Sequence, residues 1–489
     1  MLDAQICALF IAQINFLIIM NLLFKKAIII MHELIKLHNF HHQSLEAFER
    51  NDPQLSKLSE QKYTYYPPIL DELPTDIQGI YTIGGGRQIG KTTLLKIWML
   101  KLLKQGVMPK QIYFMTGEVI RDHLQLIELI QSILEESSKL NMRYIIVDEV
   151  SYIAHWDKGV KFLADAGLLQ KTELIVTGSD LVLMQEARMT FPGRRGAAEK
   201  TDFHLYPLSF YEFLTLIHPD KNFDFAMSDD LFQLAAEGFQ NYLIHGGYLT
   251  AINDMAKYAK IMPATLQIYS DWVFGDMLKR NKRAHVTEQL IITLIKQLGS
   301  QVSWHSLAKD LPIQHPNTIS DYIYLLEIMD TVYVQRALLE HKLIAAPNKA
   351  KKIFFSDPFI YHAMVYWQNK RSGVNENWMQ AVLKNKELVS LLVELICVTH
   401  FRRFFPTYYI KAEGEVDIAY IIENKFVPIE IKWTHQIRTQ DIKQIKKYKN
   451  AEIWGQRQEN GMFDTTPAYS LIRRLLQLGR DGKQFNRKP

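Results

Sequence analysis

The feature that most constrains this chain is a glycine-rich octapeptide, GGRQIGKT at residues 85–92. It fits the pattern G-x-x-x-x-G-K-[ST], with a predicted strand before it and a predicted helix after it. Glycines let the backbone turn its N–H groups towards phosphate oxygens, and the helix N-terminus adds a favourable dipole. A chance glycine-rich turn is the alternative, but such a turn does not require both flanks. The octapeptide therefore predicts a phosphate-binding loop.

Two side chains of this P-loop are expected to contact ATP and its magnesium ion directly. Lys91 can reach the β- and γ-phosphates, and Thr92 can ligate Mg²⁺. ATP and Mg²⁺ are therefore the predicted ligands. The predicted nucleotide-binding residues are Gly85, Gly86, Arg87, Gln88, Ile89, Gly90, Lys91, Thr92 and Thr93.

An apolar stretch that ends in two carboxylates, residues 144–149, lies downstream of the P-loop. A strand that ends beside a P-loop places Asp148 near the magnesium ion. Glu149 can then orient or deprotonate the attacking water. A solvated acidic pair at a strand end is the alternative. The combination with a P-loop favours a catalytic pair for ATP hydrolysis.

Further polar residues lie at the end of the next predicted strand. These are Thr177 and Ser179, and a hydroxyl group at this position can sense the γ-phosphate or hold the attacking water. Arg194 and Arg195 lie in the loop sequence PGRRG, and an arginine there can neutralise transition-state charge. A solvated loop arginine is the alternative. We take Arg194 as the catalytic candidate.

Short apolar runs alternate with amphipathic stretches around these motifs. This alternation predicts an α/β fold with a parallel sheet. Hydrophobic residues make up 48% of the chain and charged residues 22%, which is typical of globular domains. The predicted strands are 79–83, 111–115, 144–147 and 173–177, and the predicted helices are 91–104, 122–136 and 158–166.

The motifs together resemble the prokaryotic AAA-type ATPases that have a C-terminal domain of unknown function, number four-one-four-three. The resemblance covers roughly Tyr66 to the C-terminus. It implies an AAA-like core, a winged-helix segment and an endonuclease-like end. Gly86 stands where the family usually has proline, and the turn tolerates either residue. The matching segments are 85–93, 147–149 with Trp156, 177–179, 193–194 and 207–213.

The predicted division of the chain follows these segments. The predicted parts are an N-terminal segment at 1–62, an AAA-like P-loop ATPase core at 63–228, a helical lid at 229–284, a winged-helix-like module at 285–342 and a small α/β endonuclease-like domain at 343–489.

The predicted winged-helix-like module has two helices, residues 302–311 and 316–327, followed by a strand at 331–335. In DNA-binding proteins of this type the second helix enters the major groove. Here its exposed positions include Asp321 and Glu327 and few basic residues, although base-reading helices usually present Arg, Lys, Asn or Gln. The net charge of +5 permits nucleic-acid contact without requiring it. DNA binding and protein contact both stay open.

A carboxylate cluster is predicted near the C-terminus. Asp417, Glu430 and Lys432 resemble the D…E-x-K core of restriction-like nucleases, and Glu394 matches the family position that completes it. A two-residue turn at 424–425 places Asp417 opposite Lys432, on the same face as Glu430. Such a group can bind magnesium and activate water for phosphodiester cleavage. The alternative is a stabilising Asp–Lys pair on a half-exposed hairpin.

The N-terminal residues 4–24 are almost wholly apolar and long enough to span a bilayer. Two lysines follow them, which favours a cytoplasmic location for the rest of the chain. The alternative is an over-extended start with Met31 as the first residue, and then no membrane contact is expected. Cys7 and Cys397 alone make no disulfide framework or zinc cluster, which fits the cytoplasm.

Two functions are compatible with these motifs. The first, which is the leading hypothesis, is an ATPase that acts on nucleic acid such as DNA, with nuclease activity at its C-terminal end left open. The second is a nucleotide-switched interaction protein whose endonuclease-like domain is only a binding scaffold. A homo-oligomer is expected in either case if catalysis needs a neighbouring subunit's arginine.

Overall fold

The computed structural model describes residues 36–179, 191, 193–309, 311, 315–372, 378–434, 442–456 and 461–486. Residues 4–24, Met31 and Cys7 lie outside these ranges. Two compact units are defined by the contacts within the chain. The first unit comprises the chain up to Glu60, Tyr66–Gly85 and Gly90–Leu205, and the second comprises Gln61–Tyr65, Gly86–Ile89 and the chain from Tyr206 onward. Among the helices of the described ranges, none is long and apolar enough to cross a membrane.

The first unit is built on a parallel sheet with strand order β2-β3-β4-β1-β5. Strands β1 to β4 are mostly apolar and are buried along nearly their whole length, as is typical of a sheet covered on both faces, whereas only the central residue of β5 is buried. The predicted α/β fold with a parallel sheet is therefore confirmed. The strands are β1 Gly79–Gly84, β2 Ile112–Thr116, β3 Arg143–Asp148, β4 Thr172–Gly178 and β5 Asp202–His204.

The helices between these strands begin and end near the predicted positions. Asp122 caps α5 by accepting a hydrogen bond from the backbone N–H of Gln125. Helix α4, in contrast, has no side-chain cap at its N-terminus, where it follows the P-loop. The helices are α1 Leu45–Asn51, α2 Pro53–Ser59, α3 Ile69–Glu72, α4 Lys91–Lys104, α5 His123–Glu136 and α6 Trp156–Asp165.

The strand order determines which residues meet at the carboxyl edge of this sheet. Strand β4 lies between β1, which leads into the P-loop, and β3, which ends at Asp148. All three strands are parallel, so their carboxyl ends lie side by side. Thr177, near the end of β4, is thereby placed between the start of the P-loop and Asp148.

The second unit is richer in helices. The segment at 207–213 forms a helix start: Ser209 and Glu212 make a reciprocal capping box at the N-terminus of α7. The helices of this unit are α7 Phe210–Ile217, α8 Asp229–His245, α9 Leu249–Tyr258, α10 Pro263–Lys279, α11 Ala284–Lys296, α12 Trp304–Lys309, α13 Pro316–Ile328, α14 Pro358–Ser372, α15 Trp378–Lys384, α16 Lys386–Phe401 and α17 Leu471–Asp481.

The predicted winged-helix-like segment contributes β6 and β7 to an antiparallel sheet of order β6-β10-β7. The expected succession of helix, helix and strand is present as α12, α13 and β7. The predicted boundary between residues 342 and 343 falls inside this sheet, because β10 follows that boundary and pairs with strands before it. The strands are β6 Gln301–Val302, β7 Val332–Arg336, β8 Leu338–Leu339, β9 Ile344–Ala345 and β10 Lys351–Phe355.

The C-terminal sheet has the order β11-β12-β13-β14-β16-β15. Strands β11, β12 and β13 form an antiparallel meander, whereas β13, β14 and β16 are parallel neighbours. Helix α16 precedes the sheet and α17 follows it. The strands are β11 Thr407–Lys411, β12 Glu415–Ile422, β13 Lys425–Lys432, β14 Glu452–Gly455, β15 Gly461–Phe463 and β16 Thr466–Ser470.

The hairpin between β12 and β13 turns one residue earlier than predicted. Ile422 pairs with Lys425, so the two turn residues are Glu423 and Asn424. Both have positive φ angles, of 50° and 57°, as a type I′ turn requires. The predicted turn at 424–425 was wrong, because Lys425 is already part of the strand.

The earlier turn changes the residue that faces Asp417. Ile418 pairs with Ile429, and this register, if it is continued by one step, sets Asp417 against Glu430 and not, as predicted, against Lys432. The predicted register differs by two residues, and a shift of two leaves every side chain on the same face. The alternation of polar and apolar residues therefore could not distinguish the two registers.

A glycine substitution tests the description of α10. Gly275 lies inside this helix, and a Cβ added there would meet no atom within 4 Å. We expect Gly275→Ala to raise the free energy of unfolding by about 0.5–1 kcal/mol, because alanine restricts the unfolded chain. Denaturant unfolding followed by circular dichroism measures this.

Gly247→Ala is the matched control, because its Cβ would lie 2.0 Å from the carbonyl oxygen of Leu208. This variant should be destabilised. Equal effects of the two substitutions would contradict the described packing.

Candidate functional site

The P-loop has the backbone conformation that its glycines allow. Gly85 and Gly90 have φ angles of 150° and 103°, and Gln88 is left-handed with φ of 59°. Gly90 is the N-cap of α4, whose first turn has neither a side-chain cap nor an acidic residue. Uncapped backbone N–H groups at a helix N-terminus are a favourable site for phosphate oxygens. The loop therefore fits the triphosphate that the sequence predicts.

Lys91 begins α4 with its side chain almost fully buried, at 4% exposure. Its Nζ donates a hydrogen bond to the carbonyl oxygen of Gly85, at 3.0 Å. It also lies 3.4 Å from Oε1 of Glu149. The ammonium group is thus held between the P-loop and the predicted catalytic carboxylate.

Asp148 is buried at the end of β3 and accepts hydrogen bonds from two threonines. Thr92 Oγ1 donates to Asp148 Oδ2 at 2.6 Å, and Thr177 Oγ1 donates to Oδ1 at 2.5 Å. Burial raises the pKa of Asp148, while the two hydroxyl groups act in the opposite direction. Both predicted metal ligands, Thr92 and Asp148, are therefore in direct contact. A hydroxyl and a carboxylate are oxygen donors of the kind that Mg²⁺ requires, so these residues fit that ion.

Glu149 follows with a left-handed backbone, at φ of 56°, which is uncommon for a residue other than glycine. The backbone N–H of Glu149 donates to Thr177 Oγ1 at 2.9 Å. Ser179 Oγ donates to Glu149 Oε2 at 3.3 Å. Thr177 therefore contacts both acidic residues, and the two predicted sensor residues hold the two carboxylates.

The structure places Arg194 away from the P-loop of its own chain. Arg194 forms an ion pair with Asp165, the last residue of α6, which returns the chain to the amino edge of the sheet. The carbonyl oxygen of Arg195 lies against the start of β1, where a Cβ on Gly79 would be 2.6 Å from it. The P-loop follows the other end of β1. Within one chain, the arginine loop and the P-loop therefore lie at opposite edges of the sheet.

The tip of the P-loop, residues 86–89, belongs by its contacts to the second unit. Arg87 Nη1 donates to Asp276 Oδ1 at 2.5 Å, and Trp272 Nε1 donates to the other oxygen of Asp276 at 2.9 Å. The Tyr269 hydroxyl donates to the carbonyl oxygen of Gln88 at 3.0 Å. Sequence reasoning missed these partners. Their spacing of three and four residues on α10 is the signal that could have indicated a shared helix face.

The predicted C-terminal residues Glu394 and Asp417 do lie close together, with an additional carboxylate and an unexpected lysine. Carboxylate oxygens of Glu394, Glu415 and Asp417 lie within 4.8 Å of one another. Lys352 Nζ donates to Glu394 and to Glu415, each at 2.5 Å. Sequence reasoning missed Glu415 and Lys352.

Glu430 and Lys432 pair with each other beside this cluster, at 2.6 Å. Glu430 is buried, so burial raises its pKa well above the usual value, and the nearby Asp417 raises it further. Burial likewise raises the pKa of Glu394 to about 7, although Lys352 opposes the shift. These carboxylates therefore lie in an environment where negative charge is costly.

Two family models match parts of the chain. Residues 78–214 match an AAA domain, which contains the P-loop, Asp148, Glu149 and the parallel sheet. Residues 236–371 match a domain of unknown function, DUF8612. The parallel α/β fold agrees with this similarity of residues 78–214 to an AAA domain. The domain number in the sequence resemblance, four-one-four-three, is a different one, and the endonuclease-like character of the C-terminal part stays a prediction.

Two relatives at low sequence identity extend beyond the AAA domain. An uncharacterized protein of Haemophilus influenzae is 25% identical over 284 residues, which are 56% of this chain and 66% of the relative. An uncharacterized protein of Methanocaldococcus jannaschii is 24% identical over 395 residues, 78% of this chain and 79% of the relative. Neither printed name states an activity.

Solved structures with partial similarity include a RuvB variant of Thermotoga maritima and Cdc6p of Pyrobaculum aerophilum. The first has a TM-score of 0.28 and 15% identity over 52% of this chain and 81% of that chain. The second has a TM-score of 0.24 and 12% identity over 68% of this chain and 94% of that chain. TM-scores this low do not establish a shared overall fold.

A conservative substitution tests the bridging role of Thr177. Thr177→Val keeps the shape of the side chain but removes the hydroxyl that contacts Asp148 and the backbone of Glu149. We expect ATP hydrolysis to fall about tenfold to a hundredfold, because both carboxylates lose their orientation. Steady-state release of phosphate measures the rate.

Thr172→Val is the control, because Thr172 is buried at the amino end of the same strand. Its hydroxyl donates to the carbonyl oxygen of Gln170, so the variant loses one hydrogen bond far from Asp148. Equal losses of hydrolysis in the two variants would show that Thr177 acts only through stability.

Proposed function

We propose that this chain binds ATP with Mg²⁺ and hydrolyses it to ADP and phosphate. The observation that supports this most directly is the joint position of Thr92 and Thr177 on Asp148, beside the buried Lys91. A chance glycine-rich turn would not be expected to lie beside a buried carboxylate that accepts hydrogen bonds from two threonine hydroxyl groups. The match of residues 78–214 to an AAA domain agrees with this function.

Each residue of the site has a distinct role in this proposal. The P-loop amides and Lys91 bind the β- and γ-phosphates, and Thr92 and Asp148 would hold Mg²⁺. When bound, Mg²⁺ neutralises negative charge that develops on the phosphates. Glu149 orients the attacking water and accepts its proton. Lys91 already contacts Glu149 at 3.4 Å, so a phosphate that attracts Lys91 also frees the carboxylate for water.

In this proposal, Arg194 of one chain acts on the ATP that is bound to the P-loop of a second chain. It pairs with Asp165 at the sheet edge opposite its own P-loop. A second subunit that presents this edge to the P-loop would supply the arginine. We therefore propose a homo-oligomer as the hydrolysing form.

The exposed surface of α13 bears on the partner of the ATPase. On α13, the exposed side chains include Asp321 and Tyr324, while Glu327 pairs with Arg336. A helix with these side chains lacks the basic groups that usually contact phosphates and bases. We therefore favour the nucleotide-switched interaction protein over an ATPase that acts on nucleic acid. Hydrolysis assays with and without DNA distinguish the two, because DNA should leave the rate unchanged.

The central test of hydrolysis uses Glu149→Gln. The amide keeps the size of the side chain but cannot accept the proton of water, so hydrolysis should fall about a hundredfold or more. Binding of ATP should persist, because Lys91 and the P-loop are intact. Phosphate release and equilibrium binding of a fluorescent ATP analogue measure the two properties.

Glu135→Gln is the matched control, since Glu135 is exposed on α5 and should have no effect. Lys91→Ala provides the second comparison and should abolish binding itself. Undiminished hydrolysis in Glu149→Gln would remove Glu149 from the mechanism. Failure of the unaltered chain to bind ATP would refute the proposed function as a whole.

A further inference from the structure

A lysine ammonium group occupies the centre of the C-terminal carboxylate cluster. Lys352 Nζ lies 2.5 Å from an oxygen of Glu394, 2.5 Å from an oxygen of Glu415 and 3.7 Å from Asp417 Oδ1. These are the same three residues whose oxygens converge closely enough to hold a cation. The site formed by these three carboxylates therefore already contains a cation, the ammonium group of Lys352.

The distances leave no room for a divalent ion at that point. Calcium and magnesium bind carboxylate oxygens at about 2.0–2.6 Å. Lys352 Nζ lies within this distance of two of the oxygens, so a metal at the same position would overlap with the ammonium group. A divalent ion could enter only after Lys352 had been displaced.

Lys352 is held where it is by its strand. Its side chain is only 3% exposed, and its backbone lies in β10, which pairs with β6 on one side and β7 on the other. The opposing residues are Gln301 and Gln335. Gln301 donates to Glu415, and Gln335 donates to the backbone carbonyl of Asp417. Displacement of Lys352 would therefore break two charge-assisted hydrogen bonds inside a packed sheet.

The remaining predicted metal ligands are also engaged by protein groups. Asp417 Oδ2 accepts a hydrogen bond from the backbone N–H of Ile431 at 2.8 Å. Glu430 Oε1 lies 2.6 Å from Lys432 Nζ. The residues expected for magnesium, Glu394, Asp417 and Glu430, thus do not fit that ion in this arrangement. A lysine or an amide engages one oxygen of each residue, and Glu430 Oε2 is buried without a hydrogen-bond partner in the described part of the chain.

We propose that Lys352 is a built-in cation that replaces a divalent metal, so that the C-terminal domain is a non-catalytic scaffold and not a metal-dependent nuclease. Lys352 reaches the cluster from β10, which pairs with β6 and β7 of the antiparallel sheet, whereas the carboxylates belong to α16 and β12. The lysine therefore also joins the antiparallel sheet to the C-terminal sheet. This inference does not depend on ATP hydrolysis.

Binding of Mn²⁺ to the full chain without nucleotide, measured by electron paramagnetic resonance, tests the proposal. The unaltered chain and Asp417→Asn should bind the same number of ions, because the cluster binds none. Lys352→Met removes the charge and should gain one ion, and Lys352→Met with Asp417→Asn should lose it again. All variants have the same P-loop, so any Mn²⁺ bound there is counted equally in each and cancels in the comparison.

Lys351→Met is the matched control, because Lys351 is the neighbouring lysine on the opposite face, near Trp304. It should gain no ion. The proposal is overturned if the unaltered chain binds one more Mn²⁺ than Asp417→Asn, or if a folded Lys352→Met chain gains none. It is also overturned by Mn²⁺-dependent DNA cleavage that Asp417→Asn abolishes.

Circular dichroism shows whether Lys352→Met folds, since uncompensated buried carboxylates destabilise a protein. If this variant does not fold, the comparison between the unaltered chain and Asp417→Asn still decides the question.

Discussion

The contact between Asp148 and two threonine hydroxyls is the interaction on which the proposed chemistry depends. Thr92 belongs to the helix after the P-loop, and Thr177 to the strand between β1 and β3. Burying a carboxylate is costly unless hydrogen bonds compensate, and these two hydroxyls provide that compensation. The same contact fixes the backbone of Glu149, whose N–H group also binds Thr177. Three adjacent elements are thereby held in one arrangement.

A second constraint links the P-loop to α10. The loop tip is held by Asp276 through Arg87 and by Tyr269 through the carbonyl oxygen of Gln88. Residues 236–371, which include α10, match a domain of unknown function that is separate from the AAA domain. A nucleotide that repositions Arg87 would therefore change its contact with Asp276, which lies in the segment matched by that domain. In the proposed nucleotide-switched function, this contact would be the physical route from the nucleotide to α10.

Sequence reasoning was most successful where the chemistry is local. The P-loop and the carboxylates at the end of β3 have fixed spacings, and a parallel sheet necessarily brings the ends of its strands together. The parallel α/β fold was predicted from another local pattern, the alternation of short apolar runs with amphipathic stretches. The turn between β12 and β13 shows where this reasoning ends, because two registers two residues apart give the same pattern of faces.

The features that were missed depend on contacts between distant parts of the chain. Lys352 and Glu394 are separated by 42 residues, and Arg87 and Asp276 by 189. No local pattern around Lys352 indicates that it will meet carboxylates, because its place depends on the pairing of β10 with β6 and β7. The nuclease-type site was predicted from its carboxylates alone, and the lysine that lies between Glu394 and Glu415 was not anticipated.

The most direct test of the central role of Asp148 is the magnesium dependence of ATP binding in Asp148→Asn. Asparagine keeps the shape of the side chain and can still accept a hydrogen bond, but it lacks the charge that holds Mg²⁺. Equilibrium binding of a fluorescent ATP analogue, with and without Mg²⁺, should show that the unaltered chain binds more tightly with the ion. The variant should bind without Mg²⁺ as the unaltered chain does and gain nothing from the ion. An equal gain in both proteins would contradict the assignment of Asp148 as the residue that holds the metal.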